Sequence, residues 1–399
     1  MLRLLLTFIT LFSTLFCALS THGQVWSDAE IKRIQGLSLN SHKIAKDPSN
    51  KYLNNANAVK FGKSLFEDMR LSSNGKISCS SCHIKVNAFT DNKKIAQGIK
   101  QGFRNTPTLL NVSQHQWFFA DGAKDSLWAQ SLSSIENPAE HNFTRTEVMH
   151  LIASDKQYRS NYKKIFKESL PTQAQLEGFP FKAGPNAKLE HLIEWKKLNK
   201  SQKNKVNTVF TNVGKSIAAF VSTIKPEPTR FDYFADRIKP YRKSSDLTTS
   251  EQRGLRLFMS KESGCASCHH GPFLSNKTFH HIDTGIPGKD NGRSEVIESV
   301  LRDEFNCLGK HSDAKPEQCA ELNFVNRNKH QLSGTYKTPT LRGIKHTSPY
   351  MHDGRFDNLS EVIEHYVVTS QDKQKKTDLS PISLTEKQRT DLINFLLTL

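Results

Sequence analysis

Two five-residue segments constrain this chain more than anything else in it: Cys79-Ser80-Ser81-Cys82-His83 and Cys265-Ala266-Ser267-Cys268-His269. Two thiols three positions apart stand about one helical turn apart. They can reach two vinyl groups on one edge of a porphyrin, while the histidine directly after the second thiol turns its imidazole onto the iron. Each segment therefore reads as the covalent attachment site of a c-type haem. The alternatives fit less well. A zinc site built from Cys79, Cys82, Cys265 and Cys268 needs no histidine after each pair. A thioredoxin-type redox pair calls for a βαβ setting that neither segment has.

The N-terminus agrees with this chemistry. Arg3 followed by the apolar run from Leu4 to Leu19, with small residues just beyond, reads as a signal peptide over residues 1–23. Its removal takes Cys17 with it and places the mature chain in the periplasm. Of 399 residues, 36% are hydrophobic and 24% charged, which excludes wholesale disorder. Beyond the leader no window approaches the roughly 20 apolar residues a spanning helix needs, so no stable membrane insertion is expected after cleavage.

An internal repeat organises the rest. Thr106-Pro107-Thr108-Leu109 recurs as Thr338-Pro339-Thr340-Leu341, and Asp121-Gly122 as Asp353-Gly354, both at an offset of 232 residues. The Cys-containing motifs are offset by only 186, so the second half carries 46 extra residues between its motif and its Thr-Pro-Thr-Leu. Cys307 and Cys319 lie in that insertion, and in an oxidising compartment they are expected to pair. Helical periodicity closes each half, through Val206, Val209, Phe210, Val213 and Ile217 in the first and Leu392, Ile393, Phe395 and Leu396 in the second. Pro226 and Pro228 stop the former helix. Thr248 and Glu251 form a capping box opening a helix with Leu255 and Phe258 inside, the counterpart of Phe61, Leu65 and Phe66. The expected fold is all-α: an N-terminal cytochrome c-like domain over 24–225, a linker over 226–247 and a C-terminal cytochrome c-like domain over 248–399, each with one haem.

The two motifs, the run Arg104-Asn105-Thr106-Pro107-Thr108-Leu109-Leu110-Asn111, the segment from Asp121-Gly122 through Glu140, and the stretch from Thr335 to Tyr366 together resemble the bacterial di-haem cytochrome c peroxidase superfamily. Within it the chain is most similar to the branch of MauG and MbnH, which oxidises protein tryptophans. The resemblance implies that the first haem meets hydrogen peroxide, with Glu140, and Gln130 ten residues earlier, on its distal side. A carboxylate there moves a proton between the two peroxide oxygens, as base and then acid. Peroxidases carry a capping histidine seven residues before the Arg-Asn pair; here that slot is Gln97, which implies a first haem open to peroxide without reductive activation. His115 and His141 lie near in sequence as other potential caps.

For the second haem, the resemblance places the ligand opposite His269 at Tyr366, seventeen residues after Pro349, with Met351 as the competing candidate. A phenolate favours the more oxidised states of iron. The family's calcium ligands fall on Asn105, Thr347 and Pro349, hard oxygen donors of the kind Ca²⁺ takes with added waters. One position departs from the family: Ala120 stands where a tryptophan commonly lies between the haems, and Trp117 is the nearest candidate to compensate.

The chain carries 56 Lys+Arg against 39 Asp+Glu, a net charge of +17. An exported haem protein has little occasion to bind nucleic acid, so the basic surface suits an acidic protein partner or electron donor. The expected activity is that of a di-haem oxidoreductase using hydrogen peroxide to oxidise a protein. The alternative is a non-catalytic di-haem electron carrier with closed haem pockets.

Overall fold

The computed structural model describes residues 25–41, 47–242, 244–285 and 289–399. The expected signal peptide over 1–23 lies outside the described residues. Helices dominate, and the one regular sheet among the described residues is a two-stranded antiparallel ribbon, Phe279–His281 against Thr335–Lys337. No described helix is long and apolar enough to cross a membrane.

Two hydrophobic cores organise the helices. In the first, helix Ala56–Glu67 is started by Asn55, whose side chain accepts from the Asn57 and Ala58 amides at 3.0 and 3.1 Å. Its buried face, Phe61, Leu65 and Phe66, packs on the long helix Lys200–Val221, which also receives Leu127–Glu136 and Arg145–Ser154. The two principal helices cross at Gly62, where any Cβ would overlap the Ser216 carbonyl. The second core repeats the arrangement. Helix Thr249–Phe258 opens with the expected Thr248/Glu251 capping box and packs on Glu386–Leu396, and a Cβ at Gly254 would overlap the Asp391 carbonyl.

The halves exchange segments. The stretch 226–247, expected as a linker, contains helix Arg230–Arg237, whose Phe231 and Phe234 are fully buried in the second core. Helix Asp28–Gly36 packs on it, with Trp26 and Ile34 fully buried. Arg342, wholly enclosed, pairs with Asp232 at 2.8 Å and donates to the Leu37 carbonyl at 2.6 Å, which fixes both segments to the second half. In return the insertion of the second half crosses to the first. Cys307 and Cys319 are joined as expected. Phe305 enters the first core with its ring 5.8 Å from Phe210 and 6.2 Å from Trp128. Glu304 pairs with Arg145, and Asp313 with the buried Lys215 at 2.6 Å.

Candidate active site

Each Cys-x-x-Cys-His segment is a single helical turn, Cys79–Cys82 and Cys265–Cys268, with the histidine as its C-terminal cap. The chain after each histidine folds back. Ala88 and Phe89 take left-handed backbone angles, φ 52° and 61°, in the first half, and Leu274 does so at φ 50° in the second. These conformations are uncommon for residues with a side chain. They aim a carbonyl at the ring: His83 Nδ1 donates to Phe89 O at 3.0 Å and His269 Nδ1 to Leu274 O at 2.9 Å. A carbonyl only accepts, so each Nδ1 carries the proton and each Nε2 keeps the lone pair a metal takes. Burial pushes both imidazoles toward the neutral form, His269 down to about 4. The four motif thiols are unpaired, and burial holds Cys79 up at about 12 and Cys82 at about 11. Among the described residues no cluster of three or more His, Cys, Asp or Glu is placed to hold a metal ion. Two neutral histidines with one free nitrogen each, each directly after two free thiols, suit c-type haem.

Around the first motif the structure gathers Glu140 and the loop of Gln97. Cys82 Sγ lies 3.8 Å from the Gln97 carbonyl, and Ile99 N donates to Glu140 O at 2.9 Å. Glu140 is half-buried, its Oε1 accepting from Asn137 Nδ2 at 2.7 Å. Its negative charge acts on Cys79, Cys82 and His83, supporting the protonated form of each. Gln130 is not joined to it: on helix Leu127–Glu136, the Gln130 amide donates to Ser134 Oγ at 3.1 Å. His141 is buried with Nδ1 on the Leu71 carbonyl at 2.8 Å and Nε2 3.9 Å from Cys79 Sγ.

At the second motif Tyr366, on helix Leu359–Gln371, packs against the second core close enough to Cys265 and Cys268 to feel their charge. Burial first, then those thiols, raises its phenol. Met351 sits in a turn at φ 70° whose carbonyl accepts from Gly354 N.

The junction between the halves carries the expected calcium positions. Asn105 N donates to His352 O at 2.7 Å, while Asn92 Nδ2 bridges the His346 and Ser348 carbonyls at 2.9 and 2.8 Å. Asn105 Nδ2 is taken by Lys93 O, which leaves Oδ1 as its acceptor. Asn105 thus meets the loop of Thr347 and Pro349, and a neutral amide and carbonyl donor set suits a hard cation with waters. Beside it Arg104 bridges Asp121 and Asp290, and the His352 ring stacks on Tyr336 at 3.8 Å. Ala120 O accepts from Lys337 N at 2.8 Å. Trp117 is buried with the Arg293 guanidinium 3.8 Å from its ring centre, an attraction that a positive hole on the indole would destroy.

Residues 56–239 match the family model described as di-haem cytochrome c peroxidase. That stretch, which holds the first motif and the helices around it, matches the di-haem cytochrome c peroxidase family. The chain is also similar to a cytochrome-c peroxidase of Denitromonas iodatirespirans, 28% identical over 85% of this chain and 80% of the relative. Another is the methylamine utilization protein MauG of Methylorubrum extorquens, 26% identical over 86% and 77%. The cytochrome c551 peroxidase of Nitrosomonas europaea is 29% identical over 78% and 72%. A solved MauG-like protein associated with microbial copper homeostasis shares the fold, with a TM-score of 0.62 and 23% identity over 90% of this chain and 94% of that one. The family match and these relatives support an oxidoreductase that carries haem.

Sequence reasoning missed the acceptors Phe89 and Leu274, which act through backbone carbonyls, and Asp290, which holds Arg104 from the other half.

Proposed function

We propose that the protein is a periplasmic di-haem oxidoreductase that reduces hydrogen peroxide at the His83 haem and takes the electrons from a protein. The observation that carries this reading is the paired Nδ1 anchoring of His83 and His269, with Glu140 on the first motif alone. Haem bound at these motifs supplies the redox-active iron. His83 and His269 would present Nε2 to the iron, and the four thiols would tether the porphyrins. Glu140, oriented by Asn137, takes a proton from one peroxide oxygen and returns it to the other, which leaves as water. Gln130 would assist Glu140, and glutamine at position 97 offers no imidazole to cap the iron. Tyr366 would hold the second haem together with His269, with Met351 as packing. Asn105, Thr347 and Pro349 hold calcium between the domains 24–225 and 248–399.

Tyr366 beside the second motif and glutamine at position 97 favour oxidation of a partner protein, as in the MauG branch, over turnover with a small cytochrome. The test mixes the ferric holoprotein with peroxide and either a reduced small cytochrome c or candidate periplasmic proteins, the latter read by mass spectrometry for oxidised Trp or Tyr. Modified partner residues support the MauG-like reading, and fast cytochrome oxidation without them supports the peroxidase. Glu140→Gln, with both haems retained, is expected to lower peroxide consumption by about 10²–10⁴-fold. Peroxide that leaves the absorption spectrum unchanged would make the protein an electron carrier.

A further inference from the structure

One group of cations has no counter-charge. Lys337 lies opposite Phe279 in the two-stranded ribbon, and Thr338 N donates to Thr278 O at 2.9 Å, which brings Lys277 and Lys337 onto adjacent backbone. His115 enters from the first half, its Nδ1 accepting from Lys337 Nζ at 3.3 Å. An ammonium only donates, so His115 is neutral, with its proton on Nε2 and one donor still to give. Among the described residues no carboxylate lies within ion-pair distance of Lys277, Lys337 or His115, whereas the buried Arg342, Lys215 and Arg145 all have one. Burial and mutual repulsion lower Lys337 to about 8, and burial lowers Lys277 as well. Lys337 and His115 keep some accessible surface while lying deep among protein atoms, with Lys277 half-buried beside them, as in a concave wall.

Lys337 donates to His115 and Lys277 lies over the Phe273 ring at 5.3 Å, but enclosed cations without a counter-charge are costly and ask for an anion. The wall stands beside the second motif: Lys277 follows the loop whose Leu274 carbonyl holds His269, and Asn276 N donates to Cys268 O at 2.7 Å. A haem tethered through its vinyl edge carries two carboxylates on the opposite edge.

We propose that Lys277, Lys337 and His115 bind a propionate of the haem attached at Cys265 and Cys268, His115 reaching across from the first half. This rests on the haem reading above. The cluster then neutralises the cofactor and also ties the halves through it. A cation near the haem disfavours the more positive ferric state, so its loss lowers the midpoint potential.

The test is a redox titration of the holoprotein at fixed pH, with haem per chain counted by mass. The His269 haem is identified by its altered spectrum in His269→Gly. Lys337→Met is expected to keep two haems, shift that haem's midpoint to lower potential and leave the other in place, with Lys337→Arg restoring most of the shift. Lys277→Met gives the same shift and carries the test if Lys337→Met does not fold. Two haems with unchanged midpoints in both variants would overturn the proposal while leaving the haem reading intact. A wild-type midpoint that follows inorganic phosphate concentration, lost in Lys337→Met, would assign the wall to an exchangeable anion and overturn it too. Wild-type protein without haem would overturn both readings.

Discussion

A histidine becomes a directional ligand only when its other nitrogen is already committed, and here that commitment comes from main-chain oxygens. The histidines themselves were legible, because thioether chemistry fixes their place after the second cysteine. The acceptors were not: Phe89 and Leu274 act through carbonyls, and nothing in a phenylalanine or leucine announces a left-handed φ. Glu140 and Tyr366 were found through family register, and the structure sets each beside its own motif. Gln130 was legible in the same way, yet its amide is engaged along its own helix. Asp125 offers a test of electrostatics at this scale. It accepts the Cys307 amide at 2.7 Å, and burial pushes its carboxyl up to about 6. The folded state thus holds the proton more tightly than the unfolded chain, so this group favours folding at low pH and loses that contribution as pH rises from about 4 to about 6. Asp125→Asn keeps an acceptor and removes the titration. Urea midpoints of wild type and variant are expected to diverge across that window, the variant gaining on the order of 1–3 kcal/mol by pH 7.

At the level of elements, apolar periodicity identified the helices that close each half and the one that opens with Thr248. It missed the short helix Arg230–Arg237, because Pro226 and Pro228 drew attention to the stop rather than the restart. A signal was there: Thr229 and Asp232 form a capping box, and Phe231 and Phe234 lie one turn apart. What periodicity cannot reveal is which glycine marks a crossing. Gly62 and Gly254 do so in equivalent places, each facing a backbone carbonyl of the closing helix. Gly62→Ala must push the Ala56–Glu67 helix off Ser216. Thermal and denaturant unfolding are expected to report a loss of roughly 1–3 kcal/mol. Gly36→Ala is the control, since a methyl there meets nothing within 4 Å, and its midpoint should match wild type.

Across the whole molecule, counting the repeat located the insertion and its disulfide but not its destination. Docking on the other half depends on Phe305, Glu304 and Asp313 meeting Trp128, Arg145 and Lys215, contacts separated by about 100 to 180 positions that no local pattern encodes. A fragment of residues 47–225 therefore lacks part of its own core. Near-ultraviolet circular dichroism is expected to show loose aromatic packing in that fragment, with a signal nearer native once a peptide covering residues 289–334 is added. Equal, native-like spectra with and without the peptide would mean that Phe305 contributes nothing to the first core. The crossed segments also set a timetable. Ribosomes make this chain from residue 1 onward, so the aromatic slot between Trp128 and Phe210 stays wet until position 305 has emerged. The portion born first is thus completed late, its aromatic slot closing only after the second Cys-x-x-Cys-His segment and part of the insertion have been made.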